Sequence, residues 1–214
     1  MSRTKVDLIP WDPDSPKHAT RMVEQRIACG WHEDRIPSWQ EYQRSGEKCI
    51  YWIERESLAD TAKSINATPR TPTGAFFDPV GHISLDGKNP QAAHLKLPIP
   101  SEHVYWIKSL YVSTALQSSG IGRAAMDLVE DMATKPPLSA KTLMLDTISK
   151  EDQLDPVSSK VANGKLPPMP THAWYERRGY KHIWTEPNMY GFPETDEDGN
   201  KIVRRTVILR RDLF

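Results

Sequence analysis

The sequence predicts a mixed α/β fold, an α/β or α+β mixed sheet in one domain. Three observations predict it. Segments of period two, rich in aromatic and β-branched residues, interleave with segments of period 3.6. The longest alternating segment, "HVYWIKSLYV", runs through a glycine-bearing loop into an apolar-striped helix. Prolines gather between the periodic segments, where they mark loops. A chain of 214 residues with 38% hydrophobic residues can bury one sizeable core, so a disordered chain is excluded.

The elements follow in order. "KVDLIPW" reads as a first strand. Lys17–Cys29 reads as a helix with Ala19, Met22, Val23, Arg26 and Ile27 on one face. Ser38 is positioned to cap a second helix that carries Trp39, Tyr42 and Gln43. "CIYWIE" and "PVGHISLD" are strands, the second closed by the turn pair Asp86-Gly87. After "HVYWIKSLYV" comes a helix with Ile121, Ala125, Leu128, Val129 and Met132 on its stripe, stopped by Pro136-Pro137. "TLMLDTI" is a strand. "THAWYERRGY" is a short helix, with Thr171 as its cap and Gly179 as its left-handed end. "KHIWTE" and "VRRTVILRRDL" are two last strands joined by the turn-rich "PETDEDGN". The proline-rich stretches near residues 55–79, 87–101 and 149–170 are expected to be loop insertions in a single domain spanning 1–214.

Lys plus Arg and Asp plus Glu number 28 each, so no net charge argues for nucleic acid or an acidic membrane as partner. Cys29 and Cys49 cannot form a disulfide framework, and the seven histidines show no metal-ligand spacing, so no metal is implied. No apolar run reaches the ~20 residues of a membrane helix. A soluble protein of the cytosol or nucleus is expected.

The loop "LQSSGIGR" places Gly120 and Gly122 where a helix begins. A helix start has four unpaired N–H groups and a positive dipole end, and glycines let an anion approach the backbone. A tight strand-to-helix turn would need no more than that. A P-loop needs Gly-Lys-Ser/Thr, whereas Arg123 and Ala124 follow Gly122. A dinucleotide site fits Gly120 to Ala125 by pattern. In that fold, however, the first glycine directly follows the strand, and here Ser113–Ser119 intervene.

"SLYVSTALQSSGIGRAAM" and the later "HAWYERRGY" flank the strand "TLMLDT". Together they resemble the GNAT superfamily of acyl-CoA-dependent N-acyltransferases, whose signature is a strand, Gln/Arg-x-x-Gly-x-Gly/Ala, a helix, and later a Tyr-bearing helix ending in Gly. Gln117, Gly120, Gly122, Tyr175, Gly179 and Tyr180 carry the match. The resemblance implies a mostly antiparallel central sheet, splayed between its fourth and fifth strands and flanked by helices. It implies acetyl-CoA as co-substrate and an amine acceptor, either a small molecule or a peptide.

By the same resemblance, the backbone of Leu110, Tyr111 and Val112 pairs with the pantetheine arm. Gln117, Ser118, Ser119, Gly120, Ile121, Gly122 and Arg123 hold the diphosphate. Tyr175 protonates the leaving thiolate, since a phenol can serve as acid. The base is open: Asp146 and His103 rank level, Glu102 is third, and a water chain would serve as well. "HVYWIKSL" offers no carboxylate, only His103 and Lys108. The asparagine that many members carry before the tyrosine is replaced by Pro168, and Asn163 lies out of register. On the acceptor side the resemblance points to the two N-terminal helices and their loop, with Trp31, His32, Glu33, Asp34 and Trp39, and to the last two strands. By their residue types alone, these positions read first as a capped helix–helix turn with core tryptophans. A monomer or a homodimer is expected.

Overall fold

The computed structural model describes residues 6–53, 58–163, 166–191 and 194–213. Lys5 and Glu54 of the expected strands, and residues 55–57 and 164–165 of the expected insertions, lie outside the described residues. Chain contacts divide the protein into two compact units. One comprises Met1–Lys88 and Tyr105–Ala140, the other Asn89–Val104 and Lys141–Phe214.

The first unit begins with β1 (Leu8–Pro10), followed by α1 (Pro16–Cys29). Ser15 accepts the His18 amide at 3.5 Å as the N-cap, Pro16 takes the first turn, and Gly30 closes the helix at φ +78°. Its buried face is His18, Met22, Gln25 and Arg26, while Ile27 is 63% exposed. The expected stripe therefore turns by one position. Polar residues occupy the inner face because each finds partners there: His18 Nδ1 accepts from the Asp12 amide and from Trp52 Nε1, both at 3.0 Å. Helix α2 (Ile36–Ser45) starts before Ser38, which lies inside it. Pro37 is suited to a first turn, and a 3₁₀ turn over Glu33–Arg35 leads in.

Strands β2 (Lys48–Ile53), β7 (Gly81–Asp86) and β8 (Val104–Val112) join β1 in an antiparallel sheet of order β1-β2-β7-β8. Trp11, Met22, Ile36, Trp39, Ile50, Trp52, Leu58 and Phe77 pack as its core. Burying side chains of this size contributes about 1.5–3 kcal/mol each. Gly81 is required at the β7–β8 contact, because a Cβ there would lie 2.2 Å from the Tyr111 carbonyl oxygen. The pairing shifts between His82 and Ser84, and Ser109 opposite takes φ +55°. That bulge bends β8 just before Leu110.

Between β2 and β7 the chain makes a nested excursion. β3 (Leu58–Ala59) pairs with β6 (Phe76–Phe77), and β4 (Ser64–Ile65) pairs with β5 (Thr68–Pro69). Asp60 closes it. Its carboxylate accepts both arms of the Arg70 fork at 2.7 Å, and the amide and hydroxyl of Thr73 at 2.9 and 2.8 Å. The Arg70 hydrogen bonds, with those from Thr73, hold Asp60 well below the usual carboxylate range. Helix α3 (Ile121–Thr134) ends the unit. It buries Ala125, Met126, Val129 and Ala133, leaving Leu128 38% exposed, so its inner face too is rotated from the expected stripe.

The second unit is an antiparallel sheet of order β9-β13-β10, from β9 (Thr142–Ile148), β10 (Lys181–Pro187) and β13 (Arg205–Asp212). The segment 149–170, expected as loop, contains α4 (Lys150–Leu154) and α5 (Pro156–Asn163). Ser149 caps α4 through the Asp152 amide, and Pro156 begins α5, a position where its missing N–H costs nothing. Helix α6 (Thr171–Arg177) follows. The turn-rich segment after β10 carries a small hairpin of β11 (Glu194–Thr195) and β12 (Lys201–Ile202). No described helix is long and apolar enough to cross a membrane.

Candidate active site

In the first unit, β8 leads through a 3₁₀ turn at Thr114–Leu116 to the loop before α3. Gln117 is tied back, its Nε2 donating to the Val112 carbonyl at 3.1 Å. Ser119 Oγ donates to the Leu116 carbonyl at 2.5 Å. Ser118 stands at φ +64° and Gly120, the N-cap, at φ +89°. The first α3 bond runs from the Ala124 amide to the Gly120 carbonyl, 3.0 Å, so the amides of Ile121, Gly122 and Arg123 precede the helical ladder. No side chain caps this end, and its first turn has no acidic residue. Gly120 is exposed, as is Arg123. Such an end can take an anion through backbone donors and dipole together.

The predicted residues Tyr175, Asp146 and His103 all fall in the second unit. Thr171 does not cap α6: Pro170 precedes it as N-cap, and Thr171 Oγ1 instead lies 2.7 Å from Thr147 Oγ1 and accepts from Gln153 Nε2 at 2.6 Å. Gly179, at φ +91°, ends the helix as expected. Its amide donates to Glu176 and that of Tyr180 to Tyr175, at 2.9 and 3.2 Å. Tyr175 is buried, its ring packed on Trp174 and Tyr180 with centroids 5.0 and 6.1 Å away.

On β9 successive side chains take opposite faces. Thr147 faces α6, so Asp146 points to the other face. There the Tyr190 hydroxyl, from the turn after β10, donates to Asp146 Oδ2. His103 is exposed at φ +57°. Its carbonyl accepts from the amides of Lys141 and Thr142 at 2.9 and 3.2 Å.

Of the acceptor-side residues, Trp39 belongs to the core and is 8% exposed. The cations of Arg26 and Lys48 lie 5.3 and 4.9 Å from its ring centroid. Trp31 is tied by its carbonyl to Arg26 Nε at 2.6 Å, and Glu33 and Asp34 are exposed. Burial, with the charges of Arg26, Arg35 and Lys108, lowers the His32 pKa to about 4. Sequence reasoning missed the buried group behind this loop. His82 Nδ1 donates to Gln25 Oε1 at 2.8 Å, because Gln25 Nε2 is spent on the Pro79 carbonyl at 2.5 Å. His82 Nε2 therefore accepts from Arg26, at 3.2 Å. Burial, then the charges of Arg26 and Lys48, hold His82 well below the usual histidine range. It also missed Tyr190, although Pro187-Asn188 and Gly191 bracketing one aromatic signal a built turn.

A separate polar cavity of about 250 Å³ lies in the second unit, lined by Ser149, Lys150, Glu151, His172, Glu176 and Arg205 among others. His172 Nδ1 accepts the Lys150 amide at 3.1 Å, so the neutral ring carries its proton on Nε2 and offers no lone pair there to a metal. Among the described residues, no group of three or more His, Cys, Asp or Glu side chains is placed to hold a metal ion.

These elements have the arrangement of known acetyltransferases. NAA60 of Arabidopsis thaliana, solved with a bisubstrate analogue, superposes with a TM-score of 0.58 at 12% identity, covering 98% of this chain and 100% of that one. A GNAT family acetyltransferase from Elizabethkingia anophelis, solved with acetyl-CoA bound, gives 0.53 at 14% identity, covering 97% and 98%. An aminoglycoside 6'-N-acetyltransferase complexed with coenzyme A gives 0.52 at 16% identity, covering 97% of each chain. No curated protein sequence matches the chain. The acetyltransferase (GNAT) family profile matches residues 29–154, more than half of the sequence. The chain belongs to that family, and the α/β fold class read from the order of elements is the family's.

Proposed function

We propose that the protein is an N-acetyltransferase that moves acetyl from acetyl-CoA to a primary amine by direct attack. The observation that carries this reading is the α3 start: a left-handed Gly120 cap, no side-chain cap and no acidic residue in the first turn, in a chain of the GNAT family. The residues fit a diphosphate there. Backbone donors from Ser118 to Arg123 and a positive helix end meet two negative phosphates, and Arg123 adds charge. The glycine at 122 leaves open space, since a Cβ would meet only Val112 Cγ2 at 3.7 Å. The main chain of Leu110, Tyr111 and Val112 pairs with the amides of the pantetheine arm.

Bound acetyl-CoA supplies the activated thioester. Asp146 accepts the amine's proton as nitrogen attacks, with His103 the other candidate. Tyr175 gives a proton to the departing sulfur. Asp146 lies on the face of β9 opposite the one that Thr171 of α6 meets, which suits separate groups for the two proton transfers. The missing carboxylate on β8 favours a second reading, an acyl-CoA-binding module without turnover.

The test is free-thiol release from acetyl-CoA with spermidine, 2-phenylethylamine, kanamycin and a peptide bearing a free N-terminus. Tyr175→Phe should lower kcat by about 10²-fold or more while leaving the Kd for coenzyme A within about threefold. Coenzyme A binding with no turnover of any amine would favour the module instead.

A further inference from the structure

Tyr190 stands in a turn that is fixed from several sides. The Gly191 amide donates to the Asn188 carbonyl at 2.9 Å, and Asn188 is left-handed at φ +49°. The Asn188 amide donates to the Arg204 carbonyl at 2.8 Å, extending the ladder in which Pro187 faces Arg205. Arg204, nearly buried, pairs with Glu194 at the root of the β11–β12 hairpin. The Tyr190 Cα is thereby held at the end of β10. From there its side chain passes β13 and reaches β9, two strands or about 10 Å away. The hydroxyl donates to Asp146 Oδ2, and both residues are half-buried.

We propose that Tyr190 is a positioning residue for Asp146 in the deprotonation of the amine. This rests on the transferase reading above. A carboxylate at a strand position rotates about two side-chain bonds. Anchoring one oxygen fixes the plane and rotamer of the carboxylate. In the reaction the N–C bond forms and the C–S bond breaks. The amine proton passes to Asp146 and the Tyr175 proton to sulfur. Tyr190 keeps its proton throughout and touches no substrate. The donor is a tyrosine because the turn lies two strands away, and a serine or threonine hydroxyl on the same Cα would fall short.

The test uses the full chain in four forms: wild type, Tyr190→Phe, Asp146→Asn and the double variant. Acetyl-CoA is the donor, and the acceptor is whichever of the four amines above turns over. Tyr190→Phe should lower kcat roughly 10- to 100-fold, the effect of losing a hydrogen bond to a charged group, with the KM for acetyl-CoA within about twofold. In the Asp146→Asn background the same change should cost less than about threefold, because the two residues act as one unit. Additive losses in the double variant, or a loss confined to KM, would overturn the proposal.

A second measurement needs no turnover. With 3-fluorotyrosine incorporated, the fluorine resonance that disappears in Tyr190→Phe should shift in Asp146→Asn. An unmoved resonance in a protein that does turn over counts against Tyr190 alone. Failure of all four amines counts against the transferase reading itself, and the positioning role falls with it.

Discussion

Gly120 and Gly122 lie two residues apart, yet alanine should act on the melting temperature in opposite ways at the two positions. Gly120 is the α3 N-cap at φ +89°, a conformation that costs an L-residue about 1–2 kcal/mol. In a chain of this length each kcal/mol lowers Tm by about 2–4 °C, so Gly120→Ala should melt about 2–8 °C lower. The loop can escape that strain only by rotating its peptides, which turns the amides ahead of the ladder away from an anion. Each charge-assisted hydrogen bond lost is about 1.5–3 kcal/mol, so coenzyme A affinity should fall at least about tenfold. Gly122 is helical, and a Cβ there makes only an ordinary 3.7 Å contact with Val112. Alanine is favoured over glycine in a helix by up to about 1 kcal/mol, so Tm of the free protein should hold or rise, while the new Cβ enters the space given to the diphosphate and coenzyme A should bind more weakly. Thermal unfolding and titration calorimetry with coenzyme A measure both quantities. Gly120→Ala melting early but binding coenzyme A like wild type would refute the role given to the loop backbone. Coenzyme A binding unchanged in Gly122→Ala would refute the close approach of the diphosphate to that glycine.

Other outcomes follow from the first unit's interior. Lys48→Met strands the buried Asp86 carboxylate, now 2.8 Å from Lys48 Nζ, and should cost about 3–5 kcal/mol in urea unfolding. Replacing both residues, Lys48→Met with Asp86→Leu, should recover most of it. Gly81→Ala drives a Cβ to 2.2 Å from the Tyr111 carbonyl oxygen and should cost about 1–3 kcal/mol or more, with coenzyme A binding reduced because Tyr111 and Val112 must shift. His18, His32 and His82 all have folded pKa values below the ordinary 6.5, chiefly through burial. The unfolded chain therefore binds more protons below about pH 6.5. Stability is full above that pH and falls as pH drops, by about 1.4 kcal/mol per unit for each fully buried group. Melting curves from pH 8 to pH 5 measure the slope, and His82→Gln should flatten it.

The strands and the glycine-bearing turn into α3 were legible because their signals are local. A β-rich alternation shows in "HVYWIKSLYV" without reference to anything distant, and so do two glycines at a helix start and Gly179 after a helix. Helix α5 was hidden because Pro156 reads as a breaker, although at a first turn it is a starter. The α1 face was misread at Ile27 because apolarity was taken as burial. His18 and Gln25 go inside instead, beside the expected Arg26, each satisfied by a partner from another part of the chain. Asp146 was visible as a candidate, but its link to Tyr190 spans 44 positions and depends on strand order, which no local pattern encodes.

The excursion closed by Asp60 has a practical consequence. Its two ends are zipped together by β3 and β6, one carboxylate ties its interior, and its tip rests on β2, where the Tyr51 hydroxyl donates to Asn66 Oδ1 at 3.3 Å. The exposed Ala67–Thr68 link is thus a port for a fluorophore or a short epitope, provided that Asn66 is left untouched together with Asp60, Arg70 and Thr73.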